Sequence, residues 1–389
     1  MVVFLCTTVA GRCIQPLQGF LTMGVYTRSD LHKAVEVGRL KALSGFKKGH
    51  VDVASIDLGA NGDEMYQVTN LIRPRSQEKE TVRGILPFMG ARRVSFGDEL
   101  IPGREYLFRA TLEVNFSPGM YGYLNAKSTS GRNFLLVRTI ADEHGWFDTV
   151  DKRLQGFSGE IWIAVQPLAH GIYLTEGDCY NQLRIFDGDT RFGNEDLKHL
   201  LANRDLLFRR DKTPYKQGEL SLFSNDGSVF CTLYAKAEKL VGFRLKKAKT
   251  SICLTDRGLD PEEFFEPLYA DSKECVFLRA GEMYLLSTNE MLNVPKDLCA
   301  ELRALDPRLG LFFSHFAGFV DPGFFGTITL EVLAPFDMVL RHKDPVARLE
   351  FEQLKGETDS YEKAGAYHGQ IVTQLPKQFQ IPGKWIDQM

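Results

Sequence analysis

The chain has 389 residues, enough for two domains that each bury a full core. Its composition, with 44% hydrophobic and 25% charged residues, is that of an ordinary globular protein. A formal net charge of −3 gives no overall basic field, which argues against DNA or RNA as a partner. No apolar run reaches the ~20 residues of a membrane-spanning helix, so no membrane partner is expected.

Cysteine and histidine spacing argues against a metal or disulfide framework. No C-x-x-C, H-x-x-x-H or H-x-E pair occurs, which fits reduced thiols in a cytoplasmic protein better than disulfides or a zinc site. The seven cysteines are Cys6, Cys13, Cys179, Cys231, Cys253, Cys275 and Cys299.

Residues 1–22 are mildly apolar but lack the Lys or Arg that would precede the apolar run of a secretory signal. We expect them to be an N-terminal extension, or the result of a start assigned upstream of Met23. Ser29 or Thr27 can then cap a short helix over 29–37, which Gly38 would end.

The next part of the chain predicts short strands separated by turn residues, as in an all-β sandwich or barrel. Residues 194–210 have helical spacing, and we interpret 189–217 as a connection between two halves. This predicts a first domain over 23–212 and a second over 213–389. The clearest strand patterns in the first half lie at residues 50–58, 104–114, 159–167, 171–177 and 181–189.

The second half repeats the first in outline, which predicts two copies of one all-β domain. The segments that begin at Gly103 and Gly281 each contain a Tyr-Leu pair and then a proline after a strand. Segments 147–165 and 319–332 each contain an Asp, an aromatic residue two positions before a glycine, and an alternating strand.

The two copies differ in their polar residues. If Gly159 corresponds to Gly326, then Glu331 corresponds to Ala164, so the first copy has no carboxylate there. Conversely, the hydroxyl-rich loop over 125–133 has lost its hydroxyls in the second copy, at 302–310. We therefore expect one composite site per chain, formed either across the two halves or between neighbouring chains.

The loop "AKSTSGR" contains Lys127, Ser128, Thr129, Ser130 and Arg132 around a glycine. Cations, hydroxyls and backbone N–H groups are what a polyphosphate needs, and Arg can bind two oxygens at once. A plain polar surface turn is the alternative interpretation. The loop lacks the G-x-x-x-x-G-K-[ST] pattern of a P-loop.

Strand "TITLEV" points Thr327, Thr329 and Glu331 to one face. Glu331 is either a solvated strand residue or a general base whose pKa is raised in a partly apolar pocket. The preceding "SHFAGFVDPGF" predicts a strand and a tight turn through Pro322 and Gly323, able to present backbone groups to a base edge.

These motifs together resemble the dCTP deaminases of the dUTPase-like superfamily, in a double-length form. The resemblance runs from about Met23 to Phe379 and implies an all-β fold of two tandem dUTPase-like domains, β-clip or jelly-roll-like, with a few short helices. The motifs that carry it are "VASIDLG" (53–59), "AKSTSGR" (126–132), "NQLR" (181–184), "AGFVDPGF" (317–324) and "TITLEV" (327–332).

The resemblance implies hydrolytic deamination of dCTP to dUTP, which supplies dUTP for dTTP synthesis. Glu331 is then the general base that activates water. The remaining implied substrate contacts are Lys127, Ser128, Thr129 and Arg132 at the phosphates, His315 and Ala317 at the cytosine edge, Asp321 at the turn, and Tyr367 and Gln370 on a closing tail.

The resemblance also implies Mg²⁺ carried on the triphosphate with no protein metal ligand, no zinc, and a homo-oligomer such as a trimer. The zinc-dependent nucleobase deaminases need an H-x-E and a P-C-x-x-C signature, which this sequence lacks. Two other functions stay open. One is a dUTP pyrophosphatase, or an enzyme doing both steps with Asp321 or Asp148 positioning water, and the other is a nucleotide-binding protein without turnover.

Overall fold

The computed structural model describes residues 23–222, 226–305, 317–359, 361 and 367–386, so the predicted extension 1–22 and His315 lie outside the described residues. Strands dominate these ranges, as expected for an all-β protein with a few short helices. No helix in the described part of the chain is long and apolar enough to cross a membrane. The α-helices described are α1 Arg28–Glu36, α2 Val82–Ile85, α3 Ser128–Arg132, α4 Asn194–Asn203 and α5 Gly383–Ile386.

The first half forms an antiparallel sheet of order β8-β10-β6-β3-β12-β7-β9, with β1, β2 and β4 at its sides and a separate β5–β11 pair. Its strands are β1 Gly24–Val25, β2 Leu40–Ala42, β3 Ile56–Val68, β4 Arg92–Arg93, β5 Glu99–Leu100, β6 Glu105–Phe116, β7 Met120–Ala126, β8 Leu135–Ala141, β9 Thr149–Val150, β10 Phe157–Pro167, β11 Ile172–Tyr173 and β12 Cys179–Asp187.

The second half forms three sheets, of order β13-β18-β15-β16 with β21 on β18, β14-β23-β19-β20, and β17-β22. Its strands are β13 Leu207–Phe208, β14 Ser228–Thr232, β15 Leu240–Leu245, β16 Phe265–Tyr269, β17 Cys275–Leu278, β18 Met283–Asn293, β19 Leu298–Arg303, β20 Phe319–Val320, β21 Phe325–Leu333, β22 Met338–Arg341 and β23 Pro345–Gln353.

Strand register supports the internal repeat residue by residue. Tyr106 lies opposite Val165 in the β6–β10 pair, and Tyr284 lies opposite Val332 in the β18–β21 pair. In both copies the tyrosine hydroxyl accepts a hydrogen bond from the backbone N–H five residues earlier, at 2.9 Å and 2.8 Å. One position further along each pair, Leu107 faces Ala164 and Leu285 faces Glu331, so the predicted correspondence of Ala164 with Glu331 is confirmed.

Local sequence signals explain α1. Thr27 is its N-cap and forms a capping box with Asp30, and Gly38 follows the helix end with φ 74°. Other predicted elements are shorter in the structure because tertiary contacts override local pattern. Residues 204–210 do not continue α4, since β13 pairs with β18, and the strand predicted over 171–177 is reduced to β11.

Two large hydrophobic cores occur: the first contains residues of both halves, and the second contains residues from Leu197 onward. Helix α4 packs through Leu197 and Leu201 into the second core, and β13 joins the second half's sheet. Both elements therefore pack with the second domain. The predicted domain boundary between residues 212 and 213 would instead assign them to the first domain. The C-terminal segment buries Leu375, Phe379 and Trp385 in the first core, where Phe379 contacts Phe264 and Phe265 of the second half.

The domains also share a buried ionic contact. Arg184 of β12 is fully buried and donates to Glu301 of β19 at 2.7 Å and to Glu352 of β23. Removing one partner of such a buried group leaves an uncompensated charge, so this network fixes how the domains meet. It lies between β7/β12 of the first domain and β19/β23 of the second, close to the loop that carries α3.

Candidate active site

A small cavity of about 40 Å³ lies where the first domain's α3 meets β21 of the second. Residues from both domains and from the C-terminal segment enclose it, which places a composite site inside one chain. The lining residues are Ser128, Arg132, Leu302, Ala317, Phe319, Val320, Asp321, Phe324, Ile328, Thr329, Glu331, Tyr361, Tyr367 and Gln370.

Glu331 is buried, with 1% of its surface exposed, so it is not a solvated strand residue. Both faces of β21 are covered: Leu330 and Val332 point into the second core, while Thr327, Thr329 and Glu331 face the cavity side. The backbone N–H of Ala317 donates to Glu331 Oε2 at 3.3 Å.

Burial raises the pKa of Glu331 to about 7, because a charged carboxylate is poorly solvated in this position. The Arg132 guanidinium and the Ala317 N–H lower that pKa and so offset part of the burial effect. A carboxylate with a pKa near 7 can accept and release a proton at neutral pH, which is what general-base catalysis requires.

The loop that precedes and forms α3 is fixed by its own polar groups. Lys127 Nζ donates to Asp57, and Ser130 Oγ donates to the Tyr180 carbonyl at 2.9 Å. Gly131 allows the loop to approach the other domain closely. A Cβ placed there would lie 3.1 Å from both the Ala317 Cβ and the Glu331 Cδ, so even a methyl group would crowd the site.

Arg132 is 4% exposed and is held by the C-terminal segment. Its Nη1 donates to the Gln374 carbonyl at 3.1 Å, its Nη2 donates to Gln370 at 3.5 Å, and its Cζ lies 3.6 Å from the centre of the Tyr367 ring. Its Nε has no hydrogen-bond partner within the described residues. The guanidinium therefore retains unused donor capacity beside the cavity.

The C-terminal segment packs against β21 and forms hydrogen bonds with Thr327 and Thr329. Thr327 N donates to the Gln370 carbonyl at 2.8 Å, and the Gln370 side chain donates back to the Thr327 carbonyl. Gln374 N then donates to Thr329 Oγ1 at 3.2 Å. Tyr367 and Gln370 are thus buried in the site rather than loose at the chain end.

Asp321 begins the predicted tight turn, which the structure contains: Phe324 N donates to its carbonyl at 3.2 Å, and Gly323 has φ 79°. Burial, and then the nearby Asp52 carboxylate, raises the pKa of Asp321 well above its ordinary value. Its Oδ1 has no hydrogen-bond partner in the described part of the protein.

The structure brings together most of the predicted site. Ser128, Arg132, Ala317, Asp321, Glu331, Tyr367 and Gln370 line one cavity. Lys127 and Thr129 lie beside it but do not line it, and Asp148 binds Arg138 and Thr139 elsewhere in the first domain. Thr329, Tyr361 and Gln374 were missed. Thr329 could have been found, because it shares the strand face of Glu331.

In the first domain, the strand face that corresponds to the face of Thr329 and Glu331 is covered by other side chains. The position that corresponds to Thr329 is Trp162, which is fully buried against Val82, Ile85 and Met89. This indole and the segment containing α2 occupy the space that the second domain leaves beside Glu331. Fold and site together define a tandem all-β protein in which one half contributes a loop of hydroxyl and cationic residues and the other contributes a buried carboxylate.

Comparisons with known proteins identify the family. The model of the 2'-deoxycytidine 5'-triphosphate deaminase N-terminal domain matches residues 22–189, and that of the C-terminal domain matches residues 194–379. The chain belongs to the 2'-deoxycytidine 5'-triphosphate deaminase family.

Individual relatives agree with this assignment. A dCTP deaminase from Natronomonas pharaonis is 30% identical over 188 residues, which cover 46% of this chain and 94% of that protein. A "dCTP deaminase, dUMP-forming" from Dictyoglomus thermophilum is 37% identical over 117 residues, 28% of this chain and 60% of its own length. The chain thus matches less than two thirds of the latter protein.

The fold has a solved counterpart. A crystal structure of the 2'-deoxycytidine 5'-triphosphate deaminase from Agrobacterium tumefaciens superposes with a TM-score of 0.76 at 24% identity, covering 86% of this chain and 97% of that one. This likeness confirms the predicted dUTPase-like, double-length all-β fold.

Proposed function

We propose that the chain hydrolyses dCTP to dUTP and ammonia. The observation that carries this proposal is Glu331, a buried carboxylate with a pKa of about 7 that lies against the loop carrying Ser128 and Arg132. Family membership supports the same reaction. A base poised near neutral pH beside cationic and hydroxyl groups suits a nucleotide whose base reacts and whose phosphates are held.

In this mechanism Glu331 takes a proton from water while the water oxygen bonds to C4 of the cytosine. The carboxylic acid returns that proton to the nucleobase, the C4–N bond breaks, and ammonia leaves with the second proton of the water. Ala317 supports the geometry, because its N–H already binds the Glu331 carboxylate. Backbone groups around Ala317, and His315 outside the described residues, are proposed to read the cytosine edge.

Ser128 and Arg132 are proposed to bind the triphosphate, with Lys127 and Thr129 adding charge and a hydroxyl nearby. Mg²⁺ is proposed to be carried on the triphosphate, since this ion binds readily to substrate phosphates, and no side chain is assigned as its ligand. Mg²⁺ would offset the charge of the phosphates. No three His, Cys, Asp or Glu side chains among the described residues gather as metal ligands.

The C-terminal segment must move to admit substrate. A cavity of about 40 Å³ is far smaller than the ~300 Å³ or more of typical ligand pockets. Tyr367 and Gln370 line the cavity and contact Arg132 directly. We infer that these residues exchange their contacts with Arg132 for contacts with the bound phosphates.

The test is incubation of the purified protein with dCTP and Mg²⁺, followed by assay of ammonia and chromatography of nucleotides. We expect stoichiometric ammonia and dUTP from the wild type. No ammonia at any Mg²⁺ concentration would refute the deaminase. Binding of dCTP without ammonia release would instead favour the nucleotide-binding protein without turnover.

A second function is favoured by one observation: relatives such as the Dictyoglomus thermophilum protein are named dUMP-forming. Asp321, in the cavity, can hold a second water for attack on the phosphate chain. Asp148 does not serve this role, because Arg138 and Thr139 bind it away from the cavity. Appearance of dUMP and pyrophosphate in the same assay would establish the combined reaction.

We further propose a cytoplasmic homo-oligomer, with a trimer as one arrangement. The free thiols of the described cysteines support a reducing compartment. Light scattering on a sizing column measures the number of chains directly. Arg132 and Glu331 of one chain line the same cavity, which supports a site formed within each chain of such an assembly.

A further inference from the structure

Two cations that do not line the cavity, Lys377 and Arg257, lie near Arg132, which is proposed to bind the phosphates. Lys377 lies between Leu375 and Phe379, which are buried in the first core, so its backbone position is set by packing. Its neighbour Gln378 is fully buried and accepts a hydrogen bond from Asn133, directly after α3, at 3.3 Å. Lys377 is exposed at the surface, although its side chain lies close to the Tyr367 ring and to other groups that lower its pKa.

Arg257 approaches the same place from a different segment. The Leu254 carbonyl accepts one hydrogen bond from Gln378 Nε2 at 2.6 Å and another from Arg257 Nη1 at 3.3 Å. Leu259 N also donates to the Gln378 carbonyl at 2.9 Å. Gln378 therefore joins the loop of α3, the C-terminal segment and the 254–259 segment, and it places Arg257 beside Lys377.

Lys377 and Arg132 share one aromatic neighbour. Lys377 Nζ lies 5.7 Å from the centre of the Tyr367 ring, and Arg132 Cζ lies 3.6 Å from it. Tyr367 is the residue expected to move when substrate enters. The same movement would open the space between Arg132 and Lys377.

Within the described ranges, none of Arg132, Arg257 and Lys377 forms an ion pair with a carboxylate, whereas Lys127 is paired with Asp57. Burial, and then the charges of Lys127 and Arg257, lower the pKa of Lys377. Since Asp57 offsets only part of this effect, an anion that binds between these cations would reduce their mutual repulsion.

We propose that Lys377 and Arg257 bind the outer phosphate of the substrate and make the enzyme prefer a triphosphate over a diphosphate. The inference rests on the proposed function and adds residues to it. With the base at Glu331 and the inner phosphates at Ser128 and Arg132, a longer phosphate chain extends toward Lys377 and Arg257. A shorter chain ends before it reaches them.

The experiment compares dCTP with dCDP in Lys377→Gln and Arg257→Gln. For each variant we expect kcat/KM for dCTP to fall about tenfold, the usual effect of one lost charged hydrogen bond, through KM with kcat retained. For dCDP we expect little change. Lys249→Gln, which changes an exposed lysine eight residues before Arg257 in the sequence, is the matched control and should behave as wild type.

An equal loss for dCTP and dCDP, or no loss for dCTP, would overturn the proposal. Binding of inorganic tripolyphosphate and of pyrophosphate, measured by calorimetry at fixed Mg²⁺, separates this inference from the deaminase itself. If the wild type releases no ammonia, the two variants should still bind tripolyphosphate more weakly. Unchanged tripolyphosphate binding in both variants refutes the phosphate site whatever the turnover.

Discussion

At the residue scale, burial gives Glu331 its chemistry. The same carboxylate on a solvated strand would be ionised at neutral pH and a weak base. Here the close approach of Gly131, together with the cover provided by Tyr367 and Gln370, removes it from water. Its counterpart Ala164 shows that the strand itself does not need a carboxylate at this position.

Replacing Glu331 with Gln tests the base. The amide keeps the shape of the carboxylate but cannot accept the proton of water, so we expect turnover of dCTP to fall by ~10²–10⁴-fold. Nucleotide binding, measured by calorimetry, should persist because Ser128 and Arg132 are untouched. Full activity in this variant would show that another group activates water.

The pH dependence follows from the raised pKa. Activity requires the ionised carboxylate, so kcat/KM should decline as pH falls below about 7. Stability changes in the opposite sense: the folded state binds the Glu331 proton more tightly than the unfolded state, whose pKa is near 4.5, so stability decreases as pH rises from 4.5 to 7. The melting temperature of Glu331→Gln should therefore exceed that of wild type by more at pH 8 than at pH 5, and a pH-independent gap would contradict the assignment.

Arg132 should influence both binding and the base. In Arg132→Gln we expect KM for dCTP to rise about tenfold or more from the lost charged contacts. Because Arg132 lowers the pKa of Glu331, its removal should also move the midpoint of the pH–rate profile upward. Arg132→Lys keeps the charge and should keep the midpoint while losing two-point binding. If the midpoint of the pH–rate profile is the same in Arg132→Gln as in wild type, Arg132 does not influence the pKa of the catalytic carboxylate.

At the element scale, the C-terminal segment is part of the core as well as part of the site. Phe379 is 8% exposed, and its ring centre lies 5.0 Å from Phe264 and 5.1 Å from Phe265. Only the part around Tyr367 to Gln370 lies over the cavity. The anchor and the moving part are therefore adjacent but distinct.

Truncating this anchor should destabilise the whole fold. Phe379→Ala is expected to cost about 3–5 kcal/mol of unfolding free energy, the usual loss for a buried Phe, even though it lies ten residues from the chain end. Urea denaturation gives the value, and the exposed neighbour Gln380→Ala is the control. A loss no larger than that of the control would mean that the segment is undocked in solution.

Elements with strong local signals were predictable, and those set by tertiary contacts were not. The cap at Thr27, the turn at Gly323 and the alternating β21 follow from residue chemistry alone. Sequence could not place the C-terminal segment against β21, since "YEKAGAYHGQ" has no strand pattern, and its contacts, such as those of Gly369 with Phe325 and of Gln370 with Thr327, are tertiary. The role of Gln378 could not be predicted for the same reason, because its three hydrogen-bond partners, Asn133, Leu254 and Leu259, are distant in the sequence.

At the scale of the whole molecule, duplication followed by loss explains the single composite site. The first copy kept the loop of α3 and filled its own carboxylate position with Ala164 beside Trp162. The second copy kept Glu331. The internal comparison predicted this division, because it depends on which residues each copy retains. Whether the loop of α3 and Glu331 come together within one chain depends on how the two domains pack. No local sequence pattern predicts that packing.

Mixing two variants tests this arrangement. When Glu331→Gln and Arg132→Gln chains are unfolded and refolded together, activity at low dCTP should not exceed that of the Arg132→Gln chains alone, because Arg132 and Glu331 line the same cavity of one chain. Wild type refolded with Glu331→Gln should keep activity in proportion to its share, which controls for the refolding step. Recovered activity in the mixture of variants would show that the loop of one chain serves the carboxylate of another. The expectation holds for any number of chains in the assembly, since oligomerisation alone does not move α3 away from β21.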